Sequence, residues 1–278
     1  WGDANIDYVG IDNYMPLSDW RDGDHLDQEA ISIYNLDYLR GNIAGGEGYD
    51  WYYASPEGEA AQRRQPIVDT EWGEDWIYRY KDLRGWWQNF HYPRVGGTRA
   101  ATPTAWVPAS KPFRFTEYGC AAIDKGTNQP NRFLDAKSSE SGLPKYSNGR
   151  RDDLMQMAYL RAMYLHWTDP AQNPNSPLYN GPMLDFAHSH VWAWDARPFP
   201  DFPRNNALWS DGGNYAGGHW LNGRTSNQPL AAVLAEICAE AGVDAPDLLH
   251  CHALLRGYGI NDITTARAMP SGSMPLCV

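Results

Sequence analysis

Four strand-like segments, separated by stretches of helical periodicity, constrain the fold of this chain more than any other feature. The segments are residues 6–12, 66–69, 111–119 and 186–195, each rich in β-branched or alternating apolar residues. Between them lie the helix-like stretches 27–42, 80–90 and 151–167. Because parallel strands are joined by crossover helices, this alternation predicts a parallel sheet and an α/β fold.

Acidic side chains close the predicted strands, and Asp12, Glu117 and Asp195 each stand where a loop begins. In a (β/α)8 barrel the carboxyl ends of the strands build the active site, which suits acids at these positions. A doubly wound sheet is the alternative, but no glycine-rich phosphate loop follows any of the strands. A whole barrel needs eight strands and roughly 250 residues. Four strand signals therefore predict a (β/α)8 TIM-barrel-like domain that lacks its first strands.

The distribution of aromatic residues indicates where this domain ends. All 13 tryptophans lie at or before Trp220, and Tyr258 is the only Phe, Tyr or Trp after it. Residues 221–228 form a polar, glycine-containing stretch that suits a linker. The sequence therefore predicts one domain over residues 1–221 and a small α+β segment, the start of a second domain, over residues 229–278.

Charge and composition exclude several classes of partner. With 34 acidic against 23 basic residues, the net charge of −11 argues against nucleic acid or an anionic membrane surface as the main partner. No apolar run approaches the roughly 18 residues that a membrane span requires. His188 and His190 lack further ligands at metal-binding spacing, so we predict no metal and no cofactor. A chain that opens on Trp1 without a signal peptide is expected to be part of a longer protein.

Glu117 is the strongest catalytic candidate. It stands in the run Thr116-Glu117-Tyr118-Gly119 at the end of a β-rich segment, like the nucleophile of retaining (β/α)8 glycoside hydrolases. Such a nucleophile needs a rigid strand end and a second carboxyl group about 5–5.5 Å away. The alternative is a glutamate that holds a loop through hydrogen bonds, and the sequence leaves both interpretations open.

Two further groups are candidates for sugar binding. Asp12, Asn13 and Tyr14 follow the first strand, where they could hydrogen-bond sugar hydroxyls or simply cap the strand end. Trp192 and Trp194, two residues apart, are predicted to point to one side of the last strand. Their flat apolar faces suit stacking on sugar rings, although tryptophan also fills domain cores.

Several long strings resemble a single family: NIDYVGIDNYMPLSDWRDGD, YRYKDLRGWW, TPTAWVPASKPFRFTEYGC, DKGTNQPNRFLDAKSSES and VWAWDARPFPDFP. They are similar to the glycoside-hydrolase-like TIM-barrel domain of gene transfer agent host-specificity proteins, the baseplate megatrons of phage-like tails. The resemblance covers about residues 1–224, and residues 229–278 resemble the start of the tail-hub domain that follows. It implies a nucleophile-like position at Glu117, with Tyr118 beside it among the substrate-binding residues.

The resemblance also implies a role in the tail baseplate of a virion-like particle, whose proteins are made in the bacterial cytoplasm. The partners would be other tail proteins and the polysaccharide or peptidoglycan of a bacterial envelope. The first barrel strands, and with them the general acid, are expected to precede Trp1. Retaining glycoside hydrolysis is one function that the resemblance allows, and there are two alternatives. One is a catalytically inactive structural or adhesion module of the same assembly, and a more remote one is a free-standing secreted glycosidase.

Overall fold

The computed structural model describes residues 1–256 apart from residues 136, 140 and 245. Its strands are β1 (Val9–Asn13), β2 (Trp51–Tyr52), β3 (Gln65–Pro66), β4 (Arg94–Val95), β5 (Thr98–Arg99), β6 (Phe113–Tyr118), β7 (Gln228–Pro229) and β8 (Leu254–Leu255). Its α-helices are α1 (Leu36–Gly41), α2 (Pro56–Ala60), α3 (Leu83–Gln88), α4 (Asp153–Trp167), α5 (Asp201–Arg204) and α6 (Leu230–Glu240). Short 3-10 helices occupy Gln28–Ala30, Asp75–Ile77, Gly126–Asn128, Phe186–His188 and Gly212–Gly217.

A parallel pair of strands, β1 and β6, forms the centre of the fold. Residues 183–192 run alongside β6 as its other neighbour. There the Phe113 amide donates to the Met183 carbonyl at 2.7 Å, and the Trp192 amide donates to the Tyr118 carbonyl at 2.8 Å. Three parallel segments thus lie side by side in chain order, as consecutive strands of a (β/α)8 sheet do.

The prediction of a continuous strand over residues 186–195 is wrong, because side chains interrupt the backbone ladder. The Asp185 carboxylate lies 2.8 Å from Nδ1 of His188, and the chain makes a 3-10 turn between them. The Phe115 amide donates to the Ser189 hydroxyl at 3.1 Å instead of to a backbone carbonyl. Side-chain acceptors of this kind compete with sheet pairing, so isolated bridges join this segment to β6.

The helix predicted over residues 151–167 is confirmed as α4, which covers the inner strands. It begins at Asp152, whose side chain accepts a hydrogen bond from the Met155 amide at 3.0 Å. Met155, Tyr159 and Met163 follow one another at four-residue steps, and all three are buried. They belong to one apolar cluster with the buried phenylalanines of β6, so α4 holds the strand that carries Glu117.

Three other predicted elements are wrong in extent or pairing. The helix expected over residues 80–90 is reduced to α3, because the Asp82 side chain accepts from the Gly85 amide and starts the helix there. The helix expected over residues 27–42 is reduced to α1, because the Asn35 side chain accepts from the Tyr38 amide and starts the helix there. The strand expected over residues 66–69 is reduced to β3, which pairs antiparallel with β2 outside the central sheet. The Asp69 carboxylate accepts three backbone amides of the following loop, which ends the extended conformation.

The segment after the predicted linker contains α6 and the antiparallel pair of β7 and β8. Within the linker itself, Arg224 is only 4% exposed and donates to Asp153 of α4 at 2.9 Å and to the Tyr215 carbonyl at 2.6 Å. The linker residues are thus tied to the larger unit. Residues 257–278 of the predicted second domain lie outside the described residues, so the boundary stays a prediction.

The sheet does not close into a barrel within the part of the chain that the structure describes. One face of the β1–β6 pair packs on the apolar cluster that includes α4, whereas Gly10, Asp12 and Thr116 on these strands are exposed. Over the same described residues, no helix combines the length and apolarity needed to cross a membrane.

Candidate functional site

A β-bulge in β6 sets the position of Glu117. Ile11 pairs with Phe115, but the next pair is Asp12 with Glu117, so Thr116 is an extra residue in β6. The Thr116 hydroxyl donates to Asp12 Oδ1 at 2.6 Å and anchors the bulge across the two strands. Bulges of this kind redirect side chains near functional sites. Glu117 is consequently half-buried at the carboxyl end of β6, beside the end of β1.

Tyr14, which directly follows β1, holds the Glu117 carboxylate. Its phenolic hydroxyl donates to Glu117 Oε2 at 2.8 Å. Burial, reinforced by the hydrogen bond to Glu117, raises the pKa of Tyr14 well above its usual value of 10. The hydroxyl therefore stays protonated at neutral pH and acts as a donor. The carboxylate is thus oriented by a neutral group, an arrangement compatible with either ligand binding or nucleophilic attack.

The other two candidate residues at these strand ends, Asn13 and Tyr118, lie in the interior. Asn13 is 4% exposed, and its Oδ1 accepts from the Met15 amide at 3.2 Å in a local turn. Tyr118 packs against Phe186 with 5.6 Å between ring centroids, and burial raises its pKa to about 12. Both side chains support the strand ends from within the core, whereas Asp12 is exposed.

Trp192 and Trp194 line a cavity of about 410 Å³ next to the end of β6. These residues are 47% and 64% exposed, and Trp220 and Phe133 add further aromatic wall to the cavity. The peptide bond between Trp192 and Ala193 is cis. Aromatic faces of this size bury large apolar areas, and so they suit the apolar faces of sugar rings.

Asp195 fixes the rim of the cavity. Its Oδ2 accepts from Arg197 Nη2 at 2.6 Å and from the Trp220 indole nitrogen at 3.0 Å. Arg197 also donates to Asp211 at 2.7 Å, which holds the guanidinium between two carboxylates. Hydrogen bonding from Arg197 lowers the pKa of Asp195, so this carboxylate remains charged at neutral pH. The Asp195 contacts thereby keep one aromatic wall in place.

His219 joins the Glu117 side of the site to the cavity, and it was missed in the sequence analysis. Its ring lies edge-on to Tyr14, with 5.9 Å between centroids and an interplanar angle of 86°. His219 also lines the cavity together with Trp192. In the sequence, His219 is a single histidine between Gly218 and Trp220, without a spacing that marks it as functional. Only the folded chain brings it to the site.

Larger cavities also lie elsewhere among the described residues. One, of about 510 Å³, follows α4, and another, of about 610 Å³, lies near Arg150 and His252. None of the candidate residues lines either of them, so the candidate site is the one at the end of β6. Across the described residues, no group of three or more His, Cys, Asp or Glu side chains is placed to hold a metal ion.

Parallel strands in chain order, with a polar and aromatic site at their carboxyl ends, define an α/β domain of TIM-barrel type. The chain belongs to the GTA TIM-barrel-like domain family, which its residues 1–203 match. The predicted kinship with gene transfer agents is therefore confirmed, whereas the tail-hub domain over residues 229–278 stays a prediction. No curated protein matches the sequence of the chain.

Proposed function

We propose that this chain is a glycan-binding component of the tail baseplate of a gene transfer agent. Its ligand is the polysaccharide or peptidoglycan of a bacterial envelope, and its other partners are tail proteins. The observation that carries the proposal is the contiguity of the Tyr14–Glu117 pair with the cavity of Trp192 and Trp194, through the His219 ring between them. Family membership supports a particle-associated role.

The chemistry of the site fits a carbohydrate. Sugars present hydroxyl groups at their edges and apolar C–H patches on their faces, so a site needs polar groups beside aromatic surface. Glu117 and the exposed Asp12 supply carboxylates, and the tryptophans supply the surface. The cavity of about 410 Å³ also lies within the range of roughly 300–1,000 Å³ that is usual for small-molecule sites.

Binding to purified envelope polymers tests this proposal. The chain should co-sediment with insoluble peptidoglycan or bind immobilised envelope polysaccharide, and Trp194→Ala should weaken binding about tenfold. Trp72→Ala is the matched control, because Trp72 is 47% exposed but does not line this cavity. Equal binding by the Trp194→Ala variant, or binding to neither polymer, would contradict the proposal.

Glycoside hydrolysis is the second candidate function, and the hydrogen bond from Tyr14 to Glu117 favours it. In a retaining reaction Glu117 would attack the anomeric carbon while an acid protonates the departing oxygen, and water would then hydrolyse the glycosyl ester. Glu117→Gln removes the nucleophile but keeps the size and acceptor of the side chain. It should therefore abolish the release of new reducing ends and spare co-sedimentation.

Measuring both reducing ends and co-sedimentation distinguishes glycoside hydrolysis from glycan binding without cleavage. Wild-type chain that binds the polymer without releasing reducing ends would support a catalytically inactive adhesion module. Asp12, the carboxylate nearest in strand register, is already hydrogen-bonded to Thr116. The proton donor for the leaving group would therefore be an acid other than Asp12.

A further inference from the structure

One wall of the tryptophan-lined cavity contains a buried polar atom without a partner. His219 is 4% exposed, and the residue lines the cavity with Trp192, Trp194 and Trp220. Its Nε2 lies 2.6 Å from the Pro130 carbonyl oxygen. Its Nδ1 is shielded from water and has no hydrogen-bond partner among the described residues. Because buried polar atoms are nearly always paired, an unpaired one beside a cavity indicates a missing donor.

The carbonyl of Pro130 decides the roles of the two ring nitrogens. A carbonyl oxygen can only accept, so Nε2 of His219 carries the hydrogen and donates. Burial lowers the pKa of this imidazole to about 4, so the ring is neutral at pH 7 and Nδ1 carries no hydrogen. Nδ1 is therefore a fixed acceptor at the cavity wall.

We infer that Nδ1 of His219 accepts a hydrogen bond from a hydroxyl group of a sugar ring bound between the cavity tryptophans. The inference rests on the proposed glycan-binding function and adds a residue that selects among sugars. A site with a buried acceptor discriminates strongly against ligands that lack the matching donor, because the acceptor then stays unpaired. Trp192 and Trp194 would supply affinity, and His219 would supply specificity.

The charges of the cavity define the class of sugar. Asp135 and Asp195 line it, the latter paired with Arg197, and no lysine or arginine appears among the described residues that line it. Tyr14, whose ring packs on His219, is hydrogen-bonded to a further carboxylate, that of Glu117. Because like charges repel, a cavity lined by carboxylates disfavours uronic acids and other anionic sugars. The ligand that fits is a neutral sugar.

A small side-chain movement is needed for a hydroxyl to reach Nδ1. Two rings pack edge-on against the imidazole of His219: Phe133, at 4.9 Å between centroids, and Tyr14, at 5.9 Å. Tyr14 is held by its hydrogen bond to Glu117, whereas Phe133 lines the cavity and is half-buried. Phe133 is therefore the side chain that we expect to turn aside when sugar binds.

Two substitutions separate the roles of the nitrogens. His219→Gln places an amide N–H near the position of Nε2, so it keeps a donor for Pro130 and loses the Nδ1 acceptor. His219→Asn places a carbonyl oxygen near the position of Nδ1 and loses the contact with Pro130. The two variants should therefore show opposite effects on stability and on binding.

The probes are the methyl glycosides of glucose, galactose, mannose and N-acetylglucosamine, with methyl glucuronide as the anionic counterpart. Binding is measured by ligand-observed NMR titration at pH 7 on the full chain. At least one neutral probe should bind, and His219→Gln should weaken it about tenfold. His219→Asn should stay within about threefold of the wild type. In the wild type labelled with ¹⁵N-histidine, the Nδ1 resonance of His219 should move upfield on binding.

Three results would overturn the inference. They are equal binding by His219→Gln, preference for the glucuronide, and an Nδ1 resonance that stays in place as a neutral probe saturates the protein. The last measurement needs no variant, so it remains decisive if a substitution impairs folding. Any of these results combined with loss of polymer binding in Trp194→Ala would leave the proposed function standing.

Discussion

The Tyr14 hydroxyl donates a hydrogen bond of 2.8 Å to Glu117 Oε2 across 103 residues of sequence. The contact joins the loop after β1 to the end of β6, directly beyond the bulge at Thr116. Strand register, bulge and hydrogen bond therefore determine together where the carboxylate lies. The position of Glu117 therefore depends on the pairing of β1 with β6, two strands that are far apart in the chain.

A double-mutant cycle should detect this contact. Tyr14→Phe and Glu117→Ala each remove the hydrogen bond and should each destabilise the fold. Together they should cost less than the sum, with a coupling of about 1–2 kcal/mol in urea unfolding. Tyr164→Phe is the control, because Tyr164 is 59% exposed on α4 and should combine additively with Glu117→Ala. Additivity of the Tyr14 and Glu117 substitutions would contradict the contact.

Gly119 should not tolerate a side chain. A Cβ at this position would collide with the backbone carbonyl of Trp192, and backbone cannot simply rotate away. Gly119→Ala should therefore cost about 1–3 kcal/mol and push the cavity wall from the end of β6. Gly213→Ala is the matched control, since a Cβ there would meet no atom within 4 Å. Equal losses of thermal stability in Gly119→Ala and Gly213→Ala would show that Gly119 and Trp192 are not in contact.

Asp195→Asn should destabilise the rim of the cavity but should not abolish polymer binding. The substitution removes the charge that Arg197 and the Trp220 indole contact, while the pairing of Arg197 with Asp211 remains. We expect a loss of about 1–2 kcal/mol in thermal unfolding, with polymer binding almost unchanged. Asp24→Asn, at an exposed position, serves as the reference. A selective loss of binding at full stability would instead make Asp195 a ligand-binding residue.

Mild acid should destabilise the fold through two buried histidines. Burial lowers the pKa of both His166 and His219 from 6.5 to about 4. Between these values the unfolded chain binds protons that the folded chain does not, so stability falls as pH decreases from 6.5 toward 4. At pH 5 the loss is about 2 kcal/mol per histidine relative to pH 7. Urea unfolding at both pH values measures it, and His166→Gln should recover about 2 kcal/mol. Equal stability at pH 7 and pH 5 would contradict the burial of both rings.

The central elements of the fold were predictable from local patterns. β1 and β6 carry alternating apolar residues whose burial follows the pleat. The helical periodicity of residues 151–167 predicted α4 but not which of its faces is buried. Glu117 and Tyr14 were both recognised as candidates because acidic and polar residues at strand ends fit a barrel active site. Their direct contact was not predictable, because it depends on the register between the strands.

The cavity could not be predicted, because its walls come from separate loops. Phe133, Trp192 and His219 belong to three irregular segments whose paths depend on individual hydrogen bonds, such as that from His219 to Pro130. The segment over residues 186–195 shows the same limit. Its alternation predicts a strand, but side-chain acceptors at Asp185 and Ser189 replace part of the ladder.

The central claim is that envelope glycan binds at the carboxyl end of β6, and hydrogen–deuterium exchange of the chain with and without the bound polymer tests it most directly. Backbone amides of residues 117–119, 190–196 and 219–221 should be protected on binding, because they carry Glu117, the tryptophans and His219. Residues 94–99, in the hairpin of β4 and β5, should exchange as before. Protection confined to that hairpin, or to any surface away from the end of β6, would contradict the account.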